Sequence, residues 1–178
     1  MNDLQTHFAN LCDTLRVSGQ LTAAELSTGM LCICCLQLAP GKETELATLF
    51  LDKGADSHNP ALFSGVIMYN QLDLLVLLCK RGGGAIITSE DIMYECIWQG
   101  RKEALEILLA HGWNPDGSTG LPLETALYDG QITLAMILLQ AGANPDYHGD
   151  ARWSGISAAS SYDEIKEILA NKYESYKC

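Results

Sequence analysis

Four stretches of this chain carry residue types and spacings that could do chemistry. Cys32–Ile–Cys34–Cys35 crowds three thiols together, and thiolates are the usual ligands of zinc. A closed zinc site needs four ligands, however, and no second Cys or His pair stands at ligand spacing. Gly155–Ile–Ser157–Ala–Ala159 has the outline of a Gly-x-Ser-x-Gly nucleophile elbow. That device needs a strand-to-helix turn and a base oriented by an acid, whereas here alanine replaces the last glycine and the segment opens a helical stretch. Gly82–Gly–Gly84 lacks the Gly-x-x-x-x-Gly-Lys spacing of a phosphate loop. Glu106 and His111 share a helical stretch at a spacing of five, which is not that of a zinc pair. No catalytic constellation results, and neither a metal nor a cofactor is expected.

Composition narrows the field further. The 178 residues suit one domain with a continuous core, and 48% hydrophobic content argues against disorder. No apolar run approaches the ~18 residues of a membrane span. The N-terminus lacks the basic and apolar regions of a secretory leader, so a cytoplasmic location is expected. Seven cysteines form an odd set with no framework spacing, which fits reduced thiols. Cys79 and Cys96 fall where related stretches have Leu109, Leu139 and Ala126, so they read as small hydrophobes.

Charge adds a preference about partners. Twenty-two acids face eleven bases, for a net charge of −11. Between Lys102 and Arg152 no Lys or Arg occurs, while Glu103, Glu106, Asp116, Glu124, Asp129, Asp146 and Asp150 all lie inside. Such a field repels phosphate backbones and steers basic partners, so no nucleic acid and no membrane is expected as a ligand. The same acids also serve solubility, and the sequence leaves both roles open.

The elements that position these residues repeat. Leu46–Ala–Thr–Leu–Phe–Leu–Asp–Lys–Gly54 has counterparts ending at Gly82, Gly112 and Gly142, at spacings of 28, 30 and 30. A fifth copy, Glu164 to Lys172, keeps the step but ends in lysine, as a polar terminal repeat would. Each copy holds two apolar-periodic segments, the second with an i, i+3, i+4 stripe such as Ala104, Leu105, Ile107, Leu108 and Leu109. Pro122 suits a first helical turn, and Gly130 and Gly142 suit left-handed helix ends. Turn-rich segments follow, Gly112–Trp–Asn–Pro–Asp116 and Gly142–Ala–Asn–Pro–Asp146 among them. Ahead of the copies, Asn2 to Val17 places Leu4, Phe8, Leu11, Cys12 and Leu15 on one helical face. Thr22–Ala–Ala–Glu25 is a capping box opening a helix towards Leu38, and Ser161–Tyr–Asp–Glu164 is a second one.

Leu121–Pro–Leu–Glu–Thr–Ala and Leu138–Leu–Gln–Ala–Gly–Ala–Asn carry a family resemblance. The chain resembles the ankyrin-repeat family, whose Thr-Pro-Leu-His-x-Ala and Leu-Leu-x-x-Gly-Ala-Asn motifs they match with Leu for Thr and Glu for His. The resemblance runs from about Leu31 to the C-terminus. Asp91–Ile–Met–Tyr–Glu–Cys96 and Ala61–Leu–Phe–Ser–Gly–Val66 fill the first motif's slot without its proline, and no copy keeps its histidine. The implied fold is all-α: an ankyrin-repeat solenoid of about five helix-turn-helix repeats over residues 21–178, preceded by a capping helix over 1–20.

In the family the first helices line a concave face from which finger-like turns extend. The resemblance therefore points Met68–Tyr69, Trp98–Gln99, Tyr128–Asp129 and, less securely, Ser160–Ser161 into the concavity. Tyr69, Trp98 and Tyr128 recur at spacings of 29 and 30, one aromatic per repeat. Such residues dominate binding hot spots; the other reading is a stripe that packs within the array. The finger tips are Ser57–His58, Ile87–Thr88, Asp116 to Ser118 and Tyr147–His148, with Trp153 after the last. The expected function is non-catalytic: binding a basic protein partner and occluding it. Short arrays of this look occur as bacterial immunity proteins that neutralise a cognate toxin. An adaptor, a scaffold or a host-directed effector is the alternative, and an enzyme the remotest.

Overall fold

The computed structural model describes residues 3–17, 20–36, 38, 41–83, 90–117, 121–144, 163–165 and 167. Regular structure among them is helical, without strands. The named helices are α1 (Asp3–Val17), α2 (Ala23–Cys35), α3 (Lys42–Asp52), α4 (Pro60–Met68) and α5 (Leu72–Leu78), then α6 (Glu90–Trp98), α7 (Lys102–Ala110), α8 (Leu121–Tyr128) and α9 (Ile132–Gln140). The chain divides into two compact units, Met1–Ile87 with α1 to α5 and Thr88–Cys178 with α6 to α9. No helix among the described residues is long and apolar enough to cross a membrane.

Helix ends follow one rule. After α4, α6 and α8 a single residue enters left-handed backbone: Asn70 (φ 55°), Gly100 (65°) and Gly130 (68°). The next amide then reaches back into the helix. Gln71 N–H donates to Val66 O at 2.8 Å, Arg101 to Cys96 O at 2.7 Å and Gln131 to Ala126 O at 2.8 Å. After α3, α7 and α9 the left-handed residues are Gly54, Gly112 and Gly142, and the amides of Ala55, Trp113 and Ala143 close the equivalent bond. This Schellman closure satisfies carbonyls that a helix end otherwise leaves open. Asn70 shows that a short amide side chain tolerates the same backbone. α5 departs from the rule by widening into a π-type turn over Cys79–Gly83, kinked at Gly82 (φ 93°).

Inward faces repeat with the same period. In the first unit α4 and α5 bury Phe63, Val66, Ile67, Leu74, Leu75 and Leu78. In the second, α6 and α7 bury Met93, Cys96, Ile97, Ala104, Leu105 and Leu108. Thirty residues further on, α8 and α9 bury Leu123, Ala126, Leu127, Leu134, Ala135 and Leu138. Cys96 thus stands where its siblings have Val66 and Ala126, an apolar role for a thiol.

The start of the first unit is packed differently. α1 buries Phe8, Leu11, Cys12 and Leu15, and Phe8 stacks on Phe50 with centroids 6.2 Å apart. Leu4, expected on the same face, is exposed: it lies in the first helical turn, outside the covered stretch. Gly29 of α2 meets the Phe50 ring directly, and a Cβ there would overlap Phe50 Cε1. The capping box at Thr22 forms as expected, with Glu25 N–H donating to Thr22 Oγ1 at 3.3 Å and Thr22 N–H to Glu25 Oε2 at 2.7 Å. The helix it opens stops at Cys35 rather than reaching Leu38. The second expected box begins at Ser161, outside the described residues.

Candidate functional site

Trp98 and Tyr128 are the last residues of α6 and α8 in the second unit. Two observations bring those helix ends side by side. Gln131, just after α8, donates from Nε2 to the Ile97 carbonyl at 2.6 Å. A Cβ on Gly100 would stand 3.8 Å from Gln131 Oε1. Neither ring is taken into the core, where the ladder above already fills the space: Trp98 is 64% exposed and Tyr128 69%. Both rings therefore stand at the surface, at two adjacent helix ends.

Other side chains complete this face. Tyr94 lies one turn before Trp98 on α6 and is 43% exposed. Sequence reasoning passed over it, although the i, i+4 spacing to Trp98 was a sufficient signal. Glu124 stands in the same relation to Tyr128 on α8 and is half-buried. Gln99 donates from Nε2 to Glu95 Oε1, so the Glu95 carboxylate is held against its own helix. Asp129 is exposed beside Tyr128.

The first unit offers the equivalent position with other residues. α4 ends at Met68, so Met68 is the counterpart of Trp98 and Tyr128, and Tyr69 is that of Gln99 and Asp129. The aromatic period expected through Tyr69 is therefore one residue out of register. Both side chains are nonetheless exposed, at 49% and 41%.

The finger residues serve structure more than expected. Ser57 is only 8% exposed, and its Oγ donates to Arg81 O at 3.3 Å. It ties two turns together instead of standing at a tip. Asp56, Ser57 and His58 sit in a row, but Ser57 Oγ and Asp56 Oδ1 both approach the same nitrogen, His58 Nδ1, at 3.4 and 3.3 Å. A nucleophile–base–acid relay uses both ring nitrogens, so this is a turn and not a triad. Asp116 is half-buried, and its Oδ1 accepts from Asn144 N–H at 2.7 Å. That bond links two successive fingers within the second unit. Ile87, Thr88, Ser118, Tyr147, His148 and Trp153 lie outside the described residues, as do Ser160 and Ser161.

Four of the described thiols are poor nucleophiles. Burial pushes the thiols of Cys34 and Cys96 up to about 12 and that of Cys79 to about 11. Burial also raises Cys32, while Cys35 is exposed. The thiolate is the reactive and metal-binding form, so raising these values suppresses both chemistries near neutral pH.

The chain matches no family model, no curated protein and no solved structure.

Proposed function

We propose that this chain is a protein-binding module of the ankyrin-repeat type that acts by covering a basic partner. In its most specific form it is an immunity protein that neutralises a cognate toxin. The observation that carries the reading is the pair Trp98 and Tyr128, juxtaposed at two helix ends and 64% and 69% exposed, while a separate apolar ladder fills the core. Tyr and Trp bury much area at low entropic cost, which is why they anchor protein interfaces. Their acidic surroundings supply the preference for a basic partner.

The repeat type is supported by the alternating left-handed residues and by the thirty-residue period of buried side chains. Action by binding, without catalysis, is supported by raised thiol pKa values and by polar finger groups that are spent on turns.

Affinity capture from the native host tests the proposal, comparing the wild-type chain with the Trp98→Ala, Tyr128→Ala double variant. The expected result is a basic protein retained by the wild type and lost by the variant, and toxic to the host when expressed without the chain. An acidic partner, or one held equally by both chains, would refute it.

A further inference from the structure

We infer that Cys32 and Cys35 form a reversible redox pair: a hydroperoxide oxidises Cys35, and Cys32 then closes a disulfide with it. The inference stands apart from protein docking. Among the described cysteines only Cys35 is exposed, whereas Cys32, one turn earlier on α2, is 2% exposed. Both sit at the end of α2, where Leu36 N–H donates to Cys32 O at 3.0 Å. Three residues along a helix put two Cα atoms about 5 Å apart, inside the roughly 4.4–6.8 Å that a disulfide spans. The Cβ atoms, about 5–6 Å apart on a regular helix, must approach to about 4 Å. A final helical turn gives way to that pull most readily, because its carbonyls have the fewest intrahelical bonds to lose. Cys34 is the wrong partner. Adjacent helical positions do not face each other, and its Sγ is turned inward, donating to Met30 O at 3.5 Å.

The two thiols divide the work by position. Burial, then the neighbouring Cys35 and Cys12 thiols, raise the Cys32 value, which keeps it protonated near neutral pH and spares it direct oxidation. Cys35 meets the peroxide in solution. Its thiolate attacks one peroxide oxygen, the O–O bond breaks, and the departing oxygen takes up a proton as an alcohol or water. The Cys35 sulfur has given two electrons to the peroxide and now carries a hydroxyl, as a sulfenic acid. Cys32 then loses its proton, its sulfur displaces that hydroxyl, and water leaves as the S–S bond forms. Closure draws the Cys32 sulfur from the buried side of α2 towards the surface, so the bond reports on opening of the last turn.

The test treats the reduced full chain with hydrogen peroxide at neutral pH, with dimedone present to trap sulfenic acid, and maps the thiols by mass spectrometry without reductant. The expected product has lost two hydrogens in the segment holding Cys32 and Cys35, leaves Cys34 open to alkylation after unfolding, and regains its mass with a dithiol. Cys35→Ser changes an exposed position, so the fold should persist while the bond is abolished. Cys32→Ala should strand Cys35 as its sulfenic acid, raising dimedone capture about fivefold or more over wild type. Equal capture in wild type and Cys32→Ala would overturn the inference. So would a bond from Cys35 to Cys34 or Cys12, a Cys35–Cys35 link between two chains, or a Cys35 that stays reduced.

Discussion

Cys35 is exposed, whereas Cys34 beside it is buried with its thiol pushed up to about 12. A thiol reagent at neutral pH should therefore modify Cys35 in the folded protein and reach Cys34, Cys79 and Cys96 only on unfolding. Mass spectrometry of the labelled chain reads this, and early labelling of Cys96 would contradict its burial on the inner face of α6. The sign of the linkage follows from raised values. Below the ordinary thiol value, about 8.5, the stability these groups contribute is intact, and it is lost as pH rises towards 11 to 12. At the acid end Glu25 acts in the opposite sense. The Thr22 amide, then its hydroxyl, hold the Glu25 carboxyl below its usual value, so its contribution is present above that value and lost as pH falls through the lowered one. Amide exchange in the first turns of α2 should rise in acid in the wild type, and Glu25→Gln should remove that dependence. This box was legible in the sequence because Thr-x-x-Glu is a local pattern. The burial of Ser57 was not legible, since its acceptor is the carbonyl of Arg81, far along the chain.

Helix termini separate backbone strain from steric fit. At Gly142 (φ 96°) an added Cβ would meet nothing within 4 Å. Gly142→Ala should thus cost only the left-handed penalty, about 1–2 kcal/mol. At Gly29 the backbone is ordinary helix, but the Phe50 ring occupies the space. Gly29→Ala gains helix propensity and still should destabilise, because Phe50 must move out of its stack with Phe8. Thermal melts of the two variants check both, and a neutral Gly29→Ala would show that Phe50 has room to give. Leu108→Ala and Leu138→Ala remove fully buried ladder residues and should each cost about 2–5 kcal/mol. Elements and their ends were readable from the sequence because Gly at a fixed step and an i, i+3, i+4 stripe are local signals. The pairs Met68–Tyr69, Trp98–Gln99 and Tyr128–Asp129 follow the helix ends, since α4 ends at Met68 as α6 ends at Trp98 and α8 at Tyr128; the aromatic row alone steps one residue off that register at Tyr69. The role of Asp116 as acceptor of the Asn144 amide was not legible, because that donor belongs to the next finger.

At the scale of the whole molecule, net charge −11 should make partner association fast and salt-sensitive. The Debye length falls from ~30 Å at 0.01 M salt to ~10 Å at 0.1 M, so the on-rate should drop across that range. Asp129→Asn should slow association most at low salt, whereas Asp116→Asn should act through finger stability, a distinction that on-rates and melts resolve. The aromatic pair should govern dissociation, where most affinity differences among variants of one interface arise. The central claim is that the exposed Trp98–Tyr128 face binds a basic protein. Titration calorimetry of the captured partner against Trp98→Ala and Tyr128→Ala, beside a melt of each variant, tests it most directly. The account predicts a loss of about 2 kcal/mol or more in binding per substitution with Tm almost unmoved, since truncating an exposed ring leaves no cavity. Unchanged affinity accompanied by a large fall in Tm would contradict it and make both rings part of the packing.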